Sequence, residues 1–287
     1  MKLTAICCGR NDDYGGHLIE RATYAFNSML KTFDEVIYVD WNTDEGKKVL
    51  TDELVLNNRE KLTVYGVTPS MVKDIMGDEP AQSMCEVMAR NIAIRRATGD
   101  VIVSTNIDII VPPREQLDIL VSKMKPNQFY TVARHDVHLQ DLQKIFGDDV
   151  DIQEKIPVVF GVNAVGAKYL SPYLNATKEL LDKYEQNEHH VLASVICACG
   201  DFQMAHRDVW FDVRGFEEFQ KRRSYADTTI QYKVIMAGNE VVGTNFPPVY
   251  HIDHKRDHST SPNIVNDKND MPRTTKNDEN WGCMLKI

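Results

Sequence analysis

Residues 89–108 read ARNIAIRRATGDVIVSTNID, and this stretch decides the fold. Its first part belongs to a helix expected to start at Ser83, where Ser83-Met84-Cys85-Glu86 has the spacing of a capping box. The helix passes through Arg90, Asn91, Ile94 and Ala97 and should stop at Gly99, since glycine ends helices at little steric cost. A strand follows at once, Val101-Ile102-Val103-Ser104, and its end carries Thr105-Asn106-Ile107-Asp108. Pro112 and Pro113 lack the N–H that further pairing would need.

The same alternation extends outward. Leu3 to Cys8 is a short apolar run that reads as a buried strand. The polar turn GRNDDYGG (9–16) follows, then Leu18, Ala22, Ala25 and Met29 at helical spacing. Val36 to Val39 is a second strand ending at Asp40-Trp41-Asn42, and Leu62 to Val67 a third. Downstream, Phe129 to Ala133 and Val158 to Val162 read as strands and Ser171 to Tyr184 as a helix. Asp208 to Arg214, closed by Gly215, and Ala226 to Ala237, closed by Gly238, are further helices. Val241 to Gly243 and Val249 to His251 are short strands. Strands and helices in turn imply an α/β fold with a mostly parallel sheet. After His254 the composition shifts to Lys, Asp, Asn, Ser, Thr and Pro, which predicts a loop or lid that orders over a bound ligand.

Ligands of open α/β sheets bind beyond the carboxyl ends of the strands. Three polar clusters lie there: Arg10-Asn11-Asp12, Asp40-Trp41-Asn42 and Asn106-Ile107-Asp108. Alternation along an extended segment puts Asn106 and Asp108 on one side, where their oxygens suit a hard cation such as Mg²⁺ or Mn²⁺. His251-Ile252-Asp253-His254 is a second group of metal-ligand type, and imidazole also suits Mn²⁺. Asp227 falls in the first turn of its helix, where a carboxylate either serves chemistry or complements the helix dipole.

Composition narrows the classes. The chain has 287 residues, with 42 acidic against 33 basic side chains and a net charge of −9. That balance argues against a nucleic-acid binder working by phosphate neutralisation. A hydrophobic fraction of 43% with 26% charged residues excludes wholesale disorder. No apolar run approaches the roughly 20 residues that span a bilayer, and the N-terminus MKLTAICCGRND does not read as a signal peptide. Cys7, Cys8, Cys85, Cys197, Cys199 and Cys283 form no Cys-x-x-Cys pair, so buried thiols in a reducing compartment are expected.

The motifs in order are GRNDDYGG (9–16), VIYVDWN (36–42), ARNIAIRRATGDVIVSTNID (89–108), GDFQMAHRDVWFDVRGFEE (200–218), YADTTIQYKVIMAG (225–238), YHIDH (250–254) and NDENWG (277–282). This order resembles that of the GT-A glycosyltransferases, close to family 2 and its small relatives in bacteria and large DNA viruses. The resemblance implies a Rossmann-like, mostly parallel central sheet flanked by helices. It implies a single catalytic domain over 1–255, with a nucleotide-binding half 1–110 and an acceptor half 111–255, and a lid-like tail over 256–287.

It further implies transfer of a sugar from a nucleotide-diphosphate donor, UDP-sugar favoured and GDP-sugar possible, to a hydroxyl of a glycan or other acceptor, with inversion. Mn²⁺ or Mg²⁺ would be held by Asp108 with His251 or His254. Asn106 departs from the family's usual Asp-x-Asp. Arg10, Asn11, Asp12 and Asp40 would meet the nucleoside, and Arg90 the phosphates or base. Asp227 aligns with the catalytic base, although Ala226, Thr229 and Lys233 replace its usual neighbours. Asp201 would bind the acceptor, with Trp210 or Trp281 as a stacking platform. A cytoplasmic location follows, in a host if the source is viral. Two other readings stay open: a metal-dependent nucleotidyltransferase, for which GRNDDYGG lacks a lysine, and a non-catalytic carbohydrate-binding or assembly protein.

Overall fold

A computed structural model describes residues 1–76, 84–160, 175–179, 200–218, 226–255 and 276–283. Strand β1 (Leu3–Gly9) is buried along its whole length. It pairs in parallel with β2 (Glu35–Trp41) on one side and β4 (Val101–Thr105) on the other. Strands covered by helices on both faces lose the polar alternation of a half-solvated sheet, which is why all three read as near-continuous apolar runs. β3 (Leu62–Val67) extends the parallel set beyond β2. Helix α1 (Leu18–Thr32) starts where Asp13 Oδ1 accepts the Leu18 N–H at 3.0 Å. Helix α2 (Pro69–Met76) follows β3, and α3 (Glu86–Arg96) precedes β4.

Beyond β4 the sheet changes character. β5 (Ile109–Ile110), α4 (Arg114–Lys123), β6 (Gln128–His138), α5 (Leu139–Phe146) and α6 (Ile156–Phe160) come next. β7 (Asn175–Ala176), β8 (Phe202–His206), α7 (Arg207–Asp212), α8 (Ala226–Met236) and β9 (Glu240–Asp253) complete the order. Over the described residues the sheet has nine strands and runs β3-β2-β1-β4-β8-β6-β9-β5, with β7 on β9. β8 is antiparallel to β4 and β6, β5 and β7 are antiparallel to β9, while β6 and β9 are parallel. The strand order reverses between the parallel β1 and β4, so their carboxyl ends flank the topological switch point, where sheets of this kind place their ligands. Apolar clusters on the two faces hold the sheet, one centred on α3, α7 and α8 and the other on α1 and α4.

Several local expectations change. Helix α3 starts at Glu86 with Cys85 as its cap residue and without a side-chain cap; Ser83 lies outside the described residues. The Glu86 carboxylate turns to the buried Arg90 one turn on, because a buried guanidinium needs a counter-ion more than the first turn needs a cap. Val158–Val162 is not a strand over its described part: Ile156–Phe160 is helical, with Pro157 in the first turn where its missing N–H costs nothing. The helix expected over 171–184 lies largely outside the described residues, and Asn175–Ala176 instead pair with β9. The two late strands are one, Glu240–Asp253, with a register shift opposite Val132–Arg134 and a cis Phe246–Pro247 bond. The lid expected after His254 falls mostly on 256–275, outside the described residues. Residues 276–283 pack back on the domain, where Trp281 is buried beside Phe211 and Arg95. The described cysteines Cys7, Cys8, Cys85 and Cys283 are buried. Among the described residues, no helix is long and apolar enough to cross a membrane.

Candidate active site

Asp108, His251 and His254 meet beyond the end of β4. Register explains the meeting of the first two. After β4 the chain turns and re-pairs as β5, where Ile109 lies opposite His251 of β9. The His251 Nε2 is 3.8 Å from Asp108 Oδ2, and the His254 Nε2 is 3.2 Å from the same oxygen. One ligand atom from each residue lies within 4.8 Å of the others. The outer nitrogens are engaged as well. His251 Nδ1 lies 2.9 Å from Asp136 Oδ1, and His254 Nδ1 lies 3.1 Å from the Lys255 carbonyl. Both acceptors take the proton on Nδ1, and each Nε2 is turned inward towards Asp108, where a bound cation would replace its proton. Two imidazoles and a carboxylate suit a borderline divalent ion of the Mn²⁺ type, so the residues present fit the metal that the sequence implied.

The site contains a cation that sequence reasoning missed. Arg21 of α1 is 1% exposed. Its Nη1 is 3.0 Å from Asp108 Oδ2, its Nε donates to the Gly16 carbonyl at 3.2 Å, and its Nη2 donates to the Tyr14 carbonyl. Burial alone would push the Asp108 carboxyl up. The hydrogen bond from His254 and the charges of His251, His254 and Arg21 outweigh it and hold the group below its usual range. Gly15, with φ +77°, completes the cradle: a Cβ there would stand 2.3 Å from His254 Nδ1.

Asn106 does not share a side with Asp108. The segment turns after Thr105 instead of staying extended, so alternation fails within two residues. The Asn106 Oδ1 accepts from Arg90 Nη2 at 2.5 Å, and its Nδ2 donates to Asp201 Oδ1 at 2.8 Å. Asn106 is therefore a bracket between Arg90 and Asp201. Arg90 also departs from expectation. It is buried, its guanidinium holding Glu86, Ser104 and Asn106, so it supports the crevice from below and does not face a ligand. Its neighbour Asn91 clamps the segment leading towards α8, accepting from the Phe216 N–H at 2.7 Å and donating to the Phe216 carbonyl at 2.8 Å.

Asp227 opens α8 with its side chain against the backbone of Gly200. A Cβ on Gly200 would lie 2.0 Å from the Asp227 Cγ, so only glycine admits the carboxyl there. Burial pushes this carboxyl up, Glu86 and Asp201 push it further, and Arg90 and Arg134 pull it back; it settles at about 7. Asp201 is mostly buried, its second oxygen 2.8 Å from Arg134 Nη1. The polar groups around Asp227 thus connect to those around Asp108. Cys199, next to Gly200, lies outside the described residues.

The first two strand ends form a rim. Thr43 Oγ1 donates to Asp40 Oδ1 at 2.8 Å and accepts from the Asn11 N–H at 3.0 Å. Arg10 bridges Asp44 at 2.8 Å and Asp12 at 3.3 Å. Asp40 is buried, and its Oδ1 also accepts from the Tyr38 hydroxyl at 3.3 Å, so this oxygen ties the rim together from inside. Neither tryptophan serves as a platform. Trp210 is fully buried, its indole N–H donating to the Ile102 carbonyl at 3.1 Å, with Phe129 and Phe216 against its ring. Trp281 is likewise core. Apolar area of this size stabilises most when removed from water, and here packing wins.

No family model matches the sequence, and no curated protein matches it. Solved structures do. A fragment of S. aureus TarS in complex with UDP-GlcNAc is 14% identical, with a TM-score of 0.52, over 92% of this chain and 62% of that one. A longer S. aureus TarS structure is 14% identical, with a TM-score of 0.50, over 88% of this chain and 37% of that one. The mannosyltransferase PcManGT from Pyrobaculum calidifontis, in complex with GDP-Man and Mn²⁺, is 16% identical over 89% of this chain and 58% of that one, with a TM-score of 0.49. The chain therefore spans between 37% and 62% of the length of these proteins. At such identities the likeness is one of fold: the chain has a GT-A-like fold.

Proposed function

We propose that the chain is a metal-dependent glycosyltransferase that moves a sugar from a nucleotide-diphosphate donor to an acceptor hydroxyl. The observation that carries this reading is the Asp108–His251–His254 cluster at the switch point, joined by continuous polar contacts to the neighbours of a carboxyl of raised pKa on Asp227. Asp108, His251 and His254 would hold Mn²⁺ or Mg²⁺, which when bound neutralises charge developing on the departing diphosphate. Asp227 is the base. A carboxylate poised near neutrality takes a proton far more readily than one near 4, and its burial beside Gly200 fixes where the acceptor hydroxyl must come. Direct displacement from that side inverts the anomeric centre. Asp201, held by Asn106 and Arg134, lines the acceptor side.

The rim built by Arg10, Asn11, Asp12 and Asp40 is where the nucleoside would lie. UDP-sugar is the favoured donor, supported by the UDP-GlcNAc bound to a protein of like fold; GDP-sugar is the alternative. The acceptor is a glycan or another hydroxyl compound. The test is a screen of nucleotide sugars with Mn²⁺ for thermal stabilisation and slow donor hydrolysis. A donor that raises Tm only with Mn²⁺ and releases a nucleoside diphosphate supports the proposal. Release of pyrophosphate would indicate nucleotidyl transfer instead, and absence of any response would indicate a non-catalytic role.

A further inference from the structure

We propose that Asp136 and Arg134 are positioning residues that set the metal-binding state of His251 and tie it to the acceptor wall. The inference rests on the metal reading above and adds residues that the sequence did not single out. Both lie on β6 at positions i and i+2, hence on one face of the strand. Asp136 is the register partner of His251 across the β6–β9 pair. Its Oδ1 stands 2.9 Å from His251 Nδ1 and 3.0 Å from Arg134 Nε. Arg134 uses its other arm on Asp201, with Nη1 2.8 Å from Oδ2. Asp201 in turn accepts from Asn106.

The chemistry of the chain is directional. A carboxylate only accepts hydrogen bonds, so Asp136 holds a proton of His251 on Nδ1 and turns Nε2 towards Asp108, the atom a metal would take. A carboxylate behind a ligating imidazole also fixes the ring's orientation and raises its basicity, and losing it typically costs 10–100-fold in metal affinity. Arg134 holds that carboxylate from the side. Its planar fork spans two carboxylates at fixed geometry, which a lysine's point charge does not. The cation side and the acceptor side of the crevice therefore share one guanidinium.

The experiment uses the full chain with Mn²⁺ alone as probe. Free Mn²⁺ is titrated by electron paramagnetic resonance for wild type, Asp136→Asn and Arg134→Lys, and the imidazole nitrogens of the metal-free wild type are read by ¹⁵N NMR. The expected results are an Nδ1-protonated His251 in wild type and a fall in Mn²⁺ affinity of roughly 10–100-fold in Asp136→Asn. A smaller fall in the same direction is expected in Arg134→Lys. Wild-type His251 with no proton on Nδ1 would overturn the inference even if no variant folds. So would a folded Asp136→Asn protein that binds Mn²⁺ within twofold of wild type. A wild type that hydrolyses a donor with Mn²⁺ while the variants keep its Mn²⁺ affinity sinks the relay alone; a wild type that binds no Mn²⁺ sinks the metal reading and the relay with it.

Discussion

Replacing Arg21 by Met tests whether the Asp108 pocket is organised by a buried ion pair. Methionine keeps most of the stem volume and removes the donors to Asp108, Gly16 and Tyr14. Removing one partner of a buried pair costs about 3–5 kcal/mol, because the remaining charge is stranded. His251 and His254 stay beside Asp108 and absorb part of that loss, so the lower end, about 3 kcal/mol, is the expectation. At about 2–4 °C per kcal/mol for a chain of this size, Tm falls by roughly 6–12 °C without metal. A divalent ion then faces one repelling charge fewer, so Mn²⁺ should raise the Tm of the variant more than that of wild type. The assay is a thermal melt with EDTA and with Mn²⁺. A metal-free drop below about 2 °C, or an equal Mn²⁺ response in both proteins, would refute the reasoning.

Other substitutions probe the opposite side of the crevice. Asp227→Asn should lower transfer by about 10²–10⁴-fold while donor and Mn²⁺ binding persist, and in wild type the rate should fall as pH drops below about 7, where the base becomes protonated. Because the folded carboxyl titrates above its unfolded value, its ionisation opposes folding as pH rises through about 7. The variant's Tm advantage over wild type should therefore be larger at pH 8 than at pH 5. Gly200→Ala puts a methyl 2.0 Å from the Asp227 Cγ; kcat should collapse while Mn²⁺ affinity stays within a fewfold. Trp210→Phe should lower Tm and leave the acceptor KM unchanged, since the ring lies in the core; a raised KM at unchanged Tm would restore it as a platform.

What could be read in the chain and what could not follow from where information resides. β1, β2 and β4 are legible because strands buried on both faces must be apolar throughout, and their boundaries agree with expectation to within one or two residues. Asp108 is legible because strand ends at a switch point are where parallel sheets place polar function. Its pairing with Asn106 was misread because alternation holds only while the backbone stays extended, and the chain turns there. Arg21 gives no local signal: a polar residue inside an amphipathic helix looks solvated, and only the approach of Asp108, 87 positions away, makes it a buried counter-ion. Asp136 had a faint signal, the charged run Arg134-His135-Asp136 at the end of an otherwise apolar strand. Gly200 is a bare glycine in sequence, and its role depends wholly on Asp227 arriving from a helix that starts 26 residues later.

The charge pattern of the crevice argues for a cation more strongly than net charge does. Among the described residues, four arginines around it each face a carboxylate: Arg10 with Asp12 and Asp44, Arg21 with Asp108, Arg90 with Glu86, and Arg134 with Asp136 and Asp201. Guanidinium charge engaged this way is largely neutralised before a diphosphate arrives, and freeing Arg21 or Arg134 would strand the buried Asp108 or Asp201. A polyanion entering this crevice therefore finds these four guanidinium groups already engaged, and Asp108 with two inward-facing imidazole nitrogens can hold a cation to receive it. Donor binding should accordingly be metal-linked and not merely salt-sensitive. Calorimetry should show at least about tenfold weaker nucleoside diphosphate binding in EDTA than in Mn²⁺, a difference of about 1.4 kcal/mol or more, with only a modest response to monovalent salt. Equal affinity with and without the ion would refute this reading and turn attention to the basic side chains, Arg21 beside Asp108 first.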